Sequence, residues 1–269
     1  MDQVVARNLQ VEFERASEQL RNYPVIREPF EHFFVQDLFS SEFYQELLSN
    51  LPDDPAYHWT DTKRTGEKER GSFVFNSSCL AKLPQVKREF WTKVGEWMYS
   101  PAFSEALMNK FRNEITERFR GESSGAHLLM ELKLFRDKIN YSLRPHTDKR
   151  SRVLTMMLYL PKTDKQKHQG TAIYKPKKAG LRCDGSNRHE FEDFDLVGKA
   201  PFLPNAGFCF FKSDRSFHGV ARVEEDGGQR DAICFTLHCR KESPKRWIER
   251  LVASVRGTEE FRPVKTSYR

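Results

Sequence analysis

His146-Thr147-Asp148, near the middle of the chain, and His218, seventy residues later in Ser216-Phe217-His218-Gly219-Val220, are residue types that hold metals. Two imidazoles and one carboxylate form a facial three-ligand set suited to Fe(II), and they leave the opposite positions open for a second ligand and oxygen. Arg230 follows twelve residues after His218 and opens the apolar run Arg230-Asp231-Ala232-Ile233-Cys234-Phe235-Thr236-Leu237. A hairpin whose return strand begins at Arg230 would bring its guanidinium back toward the metal, where the planar fork suits the far carboxylate of that second ligand.

The pair alone says little, since 8 His and 38 Asp plus Glu in 269 residues give about one His-x-Asp/Glu by chance. Its setting says more. Val153-Leu154-Thr155-Met156-Met157-Leu158-Tyr159-Leu160-Pro161 follows Asp148 as an apolar run of strand length closed by Pro, and Ala206-Gly207-Phe208-Cys209-Phe210-Phe211 precedes His218. Ligands at the ends of strands in one β core are what a rigid metal site needs. A lone His before Gly could satisfy a turn and a lone Arg could be a surface charge, but four such residues beside strands would require four separate accidents. His32, His58, His127, His189 and His238 show no second ligand pattern and read as packing or surface residues.

From 127 to 240 the sequence resembles the iron(II)- and 2-oxoglutarate-dependent oxygenases of the prolyl-hydroxylase-like branch. The resemblance lies in His146-x-Asp148, His218 and Arg230, with Tyr159 ending the second strand and Gly170-Thr171-Ala172-Ile173-Tyr174 opening the next. One departure is Gln169-Gly170, where that branch usually has paired glycines. The resemblance implies iron held by His146, Asp148 and His218, and 2-oxoglutarate bound through its keto acid end with its distal carboxylate on Arg230. It implies cosubstrate hydrogen bonds from Tyr159 and Thr155, O2 as the second cosubstrate, and hydroxylation of an unactivated C–H bond with release of succinate and carbon dioxide. Halogenation is disfavoured, because Asp148 supplies the carboxylate that halogenases of this class replace with a small residue.

The supporting elements divide in two. Pro29 to Val35 reads as a strand, Ser41 caps a helix with Phe43, Tyr44, Leu47, Leu48 and Leu51 on one face, and Pro52 stops it. A second helix carries Leu83, Val86, Phe90, Trp91, Val94, Trp97 and Met98. Ser100-Pro101 starts a third, with Phe103, Leu107, Phe111, Ile115 and Phe119 in line. From Leu128 the pattern changes to short apolar runs between polar turns. Helices outside a late set of strands describe an α+β chain with a double-stranded β-helix core, the jelly roll also used by cupins. One domain is expected: residues 1–126 as mainly helical support, 127–240 as the core and 241–269 as a C-terminal extension.

Composition allows this. The chain is 38% hydrophobic and has 22 Phe, enough for a core despite a mean hydropathy of −0.71. No apolar stretch approaches the ~20 residues of a membrane span, the start lacks a signal peptide's pattern, and five cysteines without a CxxC pair read as reduced thiols in a cytoplasmic protein. Peripheral membrane contact stays open, and no pattern specifies an oligomeric state. Seven basic residues (Lys162, Lys165, Lys167, Lys175, Lys177, Lys178, Arg182) face one acid, Asp164, between 162 and 182, while Arg144, Lys149, Arg150 and Arg152 flank the His-x-Asp pair. In a chain of net charge +7 this segment is either a solvated loop or a guide for an anionic substrate, with His168 placed to close over the site. Nucleic acid fits less well, since Tyr174 is the one aromatic interleaved there. An anionic small molecule or glycan, such as the lipopolysaccharide sugar 3-deoxy-octulosonic acid (Kdo), is the favoured substrate. The alternatives are an amino-acid or prolyl/protein hydroxylase, a Zn or Mn isomerase with the same ligands, and a non-catalytic cupin-like binding protein.

Overall fold

The computed structural model describes residues 3–60, 68–120, 127–185, 187–224, 228–240 and 262–264. In chain order the elements are α1 (Gln3–Asn22), β1 (His32–Val35), α2 (Ser41–Ser49), β2 (His58–Thr60), β3 (Arg70–Val74), α3 (Ser77–Leu80), α4 (Gln85–Met98), α5 (Pro101–Lys110) and α6 (Arg112–Arg118). The strands β4 (His127–Asp137), β5 (Leu143–His146), β6 (Arg152–Tyr159), β7 (Thr171–Pro176), β8 (Phe194–Ala200), β9 (Ala206–Phe211), β10 (His218–Val220) and β11 (Arg230–Arg240) follow. A last strand, β12 (Arg262–Val264), lies against β4, and the rest of the expected 241–269 extension falls outside the described residues.

From β4 onward the chain passes back and forth between two antiparallel sheets. The larger has the central order β9-β6-β11-β4, and the smaller runs β5-β10-β7-β8. This is the double-stranded β-helix. The expected hairpin from His218 to Arg230 is not what forms: β10 lies in the small sheet and β11 in the large one. The two residues still line one cavity, from different sheets rather than along a ladder.

Strand alternation sorts the side chains into two layers. Leu154, Met156, Leu158, Cys209, Phe211, Ile233 and Phe235 point outward to the helices, in one core with Phe13, Leu20, Trp91, Trp97, Phe103 and Leu107. Trp97 stacks on Phe13 at 4.7 Å, and Phe103 meets Phe235 edge-on at 5.1 Å. The intervening residues Tyr159, Phe208, Phe210 and Ala232 point inward between the sheets. Because helices cover the outer face of the large sheet, β6 and β9 are buried on both sides, which is why they read as nearly continuous hydrophobic runs. Each fully buried Leu or Phe contributes roughly 1.5–3 kcal/mol, so the helical layer is the main anchor of the site-bearing sheet.

Several boundaries differ from the sequence expectation. Ser40, not Ser41, is the N-cap of α2, its Oγ accepting from the Phe43 N–H at 3.2 Å. The third helix breaks at Phe111 into α5 and α6. The N-terminal part is less purely helical than expected, since β1, β2 and β3 extend the large sheet, and α1 packs on α5. All five cysteines are free thiols.

Candidate metal centre

The β5·β10 ladder sets His218 directly opposite His146, closing a 72-residue separation with one strand pair. Their rings lie 4.4 Å apart. Asp148, two residues past His146, emerges on the same face, and its Oδ1 is 4.0 Å from His218 Nε2. One ligand atom from each of the three residues lies within 4.8 Å of the others, and among the described residues this is the one His/Cys/Asp/Glu group that converges so.

The tautomers follow from hydrogen bonding. His146 Nδ1 is 2.9 Å from the Arg144 carbonyl, and His218 Nδ1 is 2.9 Å from the Ser216 carbonyl. A carbonyl only accepts, so both Nδ1 atoms carry the proton and both Nε2 atoms are left with a lone pair directed at the shared space. Electrostatics agree. Burial, then neighbouring His218, lowers the His146 pKa to about 3, and burial lowers that of His218. Burial opposes ionisation of Asp148, but the Arg152 guanidinium, the two imidazoles and the Thr155 hydroxyl together hold its carboxyl well below the usual range. Arg152 Nη1 donates to Oδ1 at 2.6 Å and Thr155 Oγ1 to Oδ2 at 2.7 Å. Two neutral imidazoles and one carboxylate, each oriented from behind, fit a divalent metal such as iron(II).

The ligands open on a cavity of about 530 Å³ lined by Thr155, Met157, Thr171, Phe210 and Cys234, with cations Arg70, Lys149, Arg152, Arg188 and Arg230 against the single acid Asp148. Arg230 is fully buried. Its Nη1 donates to Asp137 Oδ2 at 2.9 Å and its Nε to the Gln169 carbonyl at 2.9 Å, while Nη2 has no partner. Gln169 thus supplies a backbone acceptor at the strand entrance. The following Gly170 is required by space, because a Cβ there would stand 1.8 Å from the Ala200 carbonyl oxygen.

The other expected site residues are placed as follows. The Thr155 hydroxyl is committed to Asp148. The buried Tyr159 hydroxyl donates to Thr171 Oγ1 at 2.7 Å, so Thr171 lines the cavity and Tyr159 stands behind it. Lys149 is on the lining, but Arg144 pairs with Glu190 away from it, and Arg150 and His168 do not line it. His168 lies 3.6 Å from Glu224 instead. None of the seven basic residues between 162 and 182 lines the metal cavity. Lys175, Lys178 and Arg182 line a separate groove with Arg215 and Tyr174.

Four contributors escaped the sequence reading. Arg70 arrives from β3, and Arg188 comes from the loop after Cys183. That loop is pinned by Gly185, whose φ of +99° and absent Cβ let it sit on the Asp148 carbonyl, 2.1 Å from where a Cβ would be. Thr147 ties the ligand turn to the same loop through its hydroxyl, which donates to the Cys183 carbonyl at 2.8 Å.

Topology and side chains define a double-stranded β-helix carrying a facial His-Asp-His set. No family model matches the chain, and no curated protein matches it by sequence. Solved structures of similar fold do exist. The non-heme alpha-ketoglutarate-dependent carbocyclase SnoK of nogalamycin biosynthesis is 10% identical, with 94% of this chain and 98% of that one covered and a TM-score of 0.49. The epimerase SnoN of the same biosynthesis is 10% identical over 84% and 82%, with a TM-score of 0.47. A Trichoplax adhaerens prolyl hydroxylase, solved with a hypoxia-inducible factor peptide, is 11% identical over 88% and 93%, with a TM-score of 0.45. By name, two of these neighbours are alpha-ketoglutarate-dependent enzymes of different reaction types and the third is a prolyl hydroxylase. At such identity the chemistry has to be read from the side chains.

Proposed function

We propose that the protein is an iron(II)- and 2-oxoglutarate-dependent oxygenase acting on a C–H bond of an anionic small molecule or glycan. The observation that carries this reading is one cavity holding both a converging His146-Asp148-His218 set and a fully buried Arg230 with an unpartnered Nη2. A buried guanidinium nitrogen without an acceptor is costly, and a carboxylate arriving through the cavity supplies one. A non-catalytic cupin-like protein or a Zn or Mn isomerase would need the metal ligands but not that nitrogen.

Iron(II), with 2-oxoglutarate and O2, supplies an oxidant able to attack an unactivated C–H bond. The chain's own residues do the rest. His146 and His218 present Nε2, Asp148 presents its carboxylate, and Arg152 and Thr155 hold that carboxylate in place. Arg230 takes the distal carboxylate of the cosubstrate, and Tyr159 fixes the Thr171 hydroxyl beside it. Met157, Phe210 and Cys234 give the inner cavity an apolar patch of wall. At the mouth, Lys149 and Arg188 have no ion-pair partner among the described residues, which favours a carboxylate or phosphate on the substrate. An acidic sugar such as Kdo fits that description.

The test is succinate formation from 2-oxoglutarate with Fe(II) and O2, screened over anionic sugars, amino acids and peptides. Substrate-stimulated succinate with an oxygenated product supports the proposal. Absence of both 2-oxoglutarate binding and turnover would return the chain to the isomerase or binding-protein readings, and stimulation by a neutral peptide would redirect it to protein hydroxylation.

A further inference from the structure

Asp137 sits at the end of β4 with Arg230 of β11 directly opposite on one side and Arg70 of β3 directly opposite on the other. Residues opposed across antiparallel strands share a face, so the three form one transverse row on the inner side of the large sheet, with Arg70 and Arg230 lining the metal cavity and Asp137 buried between them. Asp137 is fully buried and fully engaged: Arg70 Nε reaches Oδ1 at 2.6 Å, Arg70 Nη2 reaches Oδ2 at 2.9 Å, and Arg230 Nη1 reaches Oδ2 at 2.9 Å. The Arg70 guanidinium is held between the Phe135 and Tyr141 rings, 4.4 and 4.1 Å from their centroids. The row contains two guanidinium charges and one carboxylate, an excess of one positive charge where charge is poorly solvated.

We propose that Arg70 and Asp137 are positioning residues that set the cavity's affinity for the cosubstrate's distal carboxylate through this charge excess. The inference rests on the oxygenase reading above. Without Arg70, Asp137 and Arg230 would form a neutral buried pair, and a further anion would gain little. With Arg70, Asp137 is shared between two cations, and Arg230 Nη2 is left without a partner for the carboxylate that would balance the row. Asp137 also locks Arg230 by Nη1 while the Gln169 carbonyl holds Nε, so the free nitrogen is aimed rather than mobile. The N-terminal part therefore contributes to cosubstrate binding through β3, beyond packing.

The experiment is anaerobic calorimetric titration of Mn(II)-loaded full-length protein with 2-oxoglutarate, with a melting curve for each variant. Arg70→Gln makes the row neutral and should raise Kd at least tenfold, about 1.4 kcal/mol. The double variant Arg70→Gln/Asp137→Asn leaves Arg230 as the sole charge, restores the excess, and should return Kd to within about threefold of the native protein, on the same scale of affinity. Arg70→Lys keeps the charge without the fork and should do likewise. A structural role alone predicts no such rescue. Unchanged affinity in Arg70→Gln overturns the proposal. So does a tenfold loss in the double variant or in Arg70→Lys, and these two decide the matter if Arg70→Gln does not fold. Failure of the native protein to bind 2-oxoglutarate would instead sink the oxygenase reading.

Discussion

Replacing Arg230 with Met removes every donor while filling most of the volume of the arginine stem. In the native protein the guanidinium makes two hydrogen bonds, to Asp137 and to the Gln169 carbonyl, and holds a third nitrogen free. Asp137 keeps its two-point contact with Arg70 after the change, so no buried carboxylate is orphaned. The stability loss comes from the Gln169 carbonyl, about 1–3 kcal/mol for a buried acceptor left unmade, and removing an unpartnered Nη2 offsets part of it. The variant should therefore fold and melt only a few degrees lower. Cosubstrate binding loses a charge-assisted contact worth about 1.5–3 kcal/mol, which corresponds to a Kd roughly 10- to 150-fold higher. Metal affinity should not change, since Arg230 touches none of the three ligands. Anaerobic calorimetry of Mn(II)-loaded protein measures both quantities. A thermal shift checks them independently, because 2-oxoglutarate should stabilise the native protein by mass action, while the variant should need roughly 10- to 150-fold more ligand for the same shift. Equal 2-oxoglutarate affinity in the two proteins would refute the role of Arg230 and, with it, the argument from its free nitrogen.

His146→Ala, Asp148→Asn and His218→Ala should each abolish Fe(II)-dependent turnover and reduce Mn(II) binding to background while retaining the native far-ultraviolet spectrum; metal binding at full strength would remove that residue from the ligand set. His146 is held neutral in the fold at a pKa of about 3, against about 6.5 unfolded, so lowering the pH through 6.5 protonates the unfolded chain first and costs stability. The metal-free protein should lose about 1.4 kcal/mol from this group between pH 7.5 and 5.5, seen as a falling Tm that flattens in His146→Asn; equal slopes would contradict the assignment. Substituting Lys175, Lys177 and Lys178 together by Ser should leave the KM for an anionic substrate unchanged, because none of them lines the metal cavity, whereas Arg188→Ala should raise it severalfold. Steady-state kinetics with the substrate found by the succinate screen decides between the two regions.

The convergence of His146, Asp148 and His218 was legible because each sits beside an apolar strand, and residue types that bind metals are sparse enough for their order to be informative. Arg230 was legible as the first residue of its strand, although the path to it was not: a twelve-residue connection reads equally as a hairpin or as a crossing between sheets. Helix α1 could have been found, since Leu9, Phe13, Ala16 and Leu20 recur at helical spacing and are buried together. Reading β6 as two faces would also have separated Thr155, Met157 and Tyr159, which point inward, from Leu154, Met156 and Leu158, which meet the helices.

What sequence could not supply was partnership between distant strands. The density of lysines from 162 to 182 is plain in the sequence, but which wall those side chains face depends on the pairing of β7 with β8 and β10, and that pairing turns Lys175 and Lys178 toward a separate groove. Arg70 and Asp137 belong to short or polar stretches with no pattern of their own. Their meaning arises only when β3, β4 and β11 align in register and place a carboxylate between two guanidiniums. A charge in isolation has a solvation energy; a charge in a buried row has a sum to satisfy. That sum exists nowhere in the one-dimensional order of the residues, and it makes the two least conspicuous members of the row a determinant of what the cavity binds.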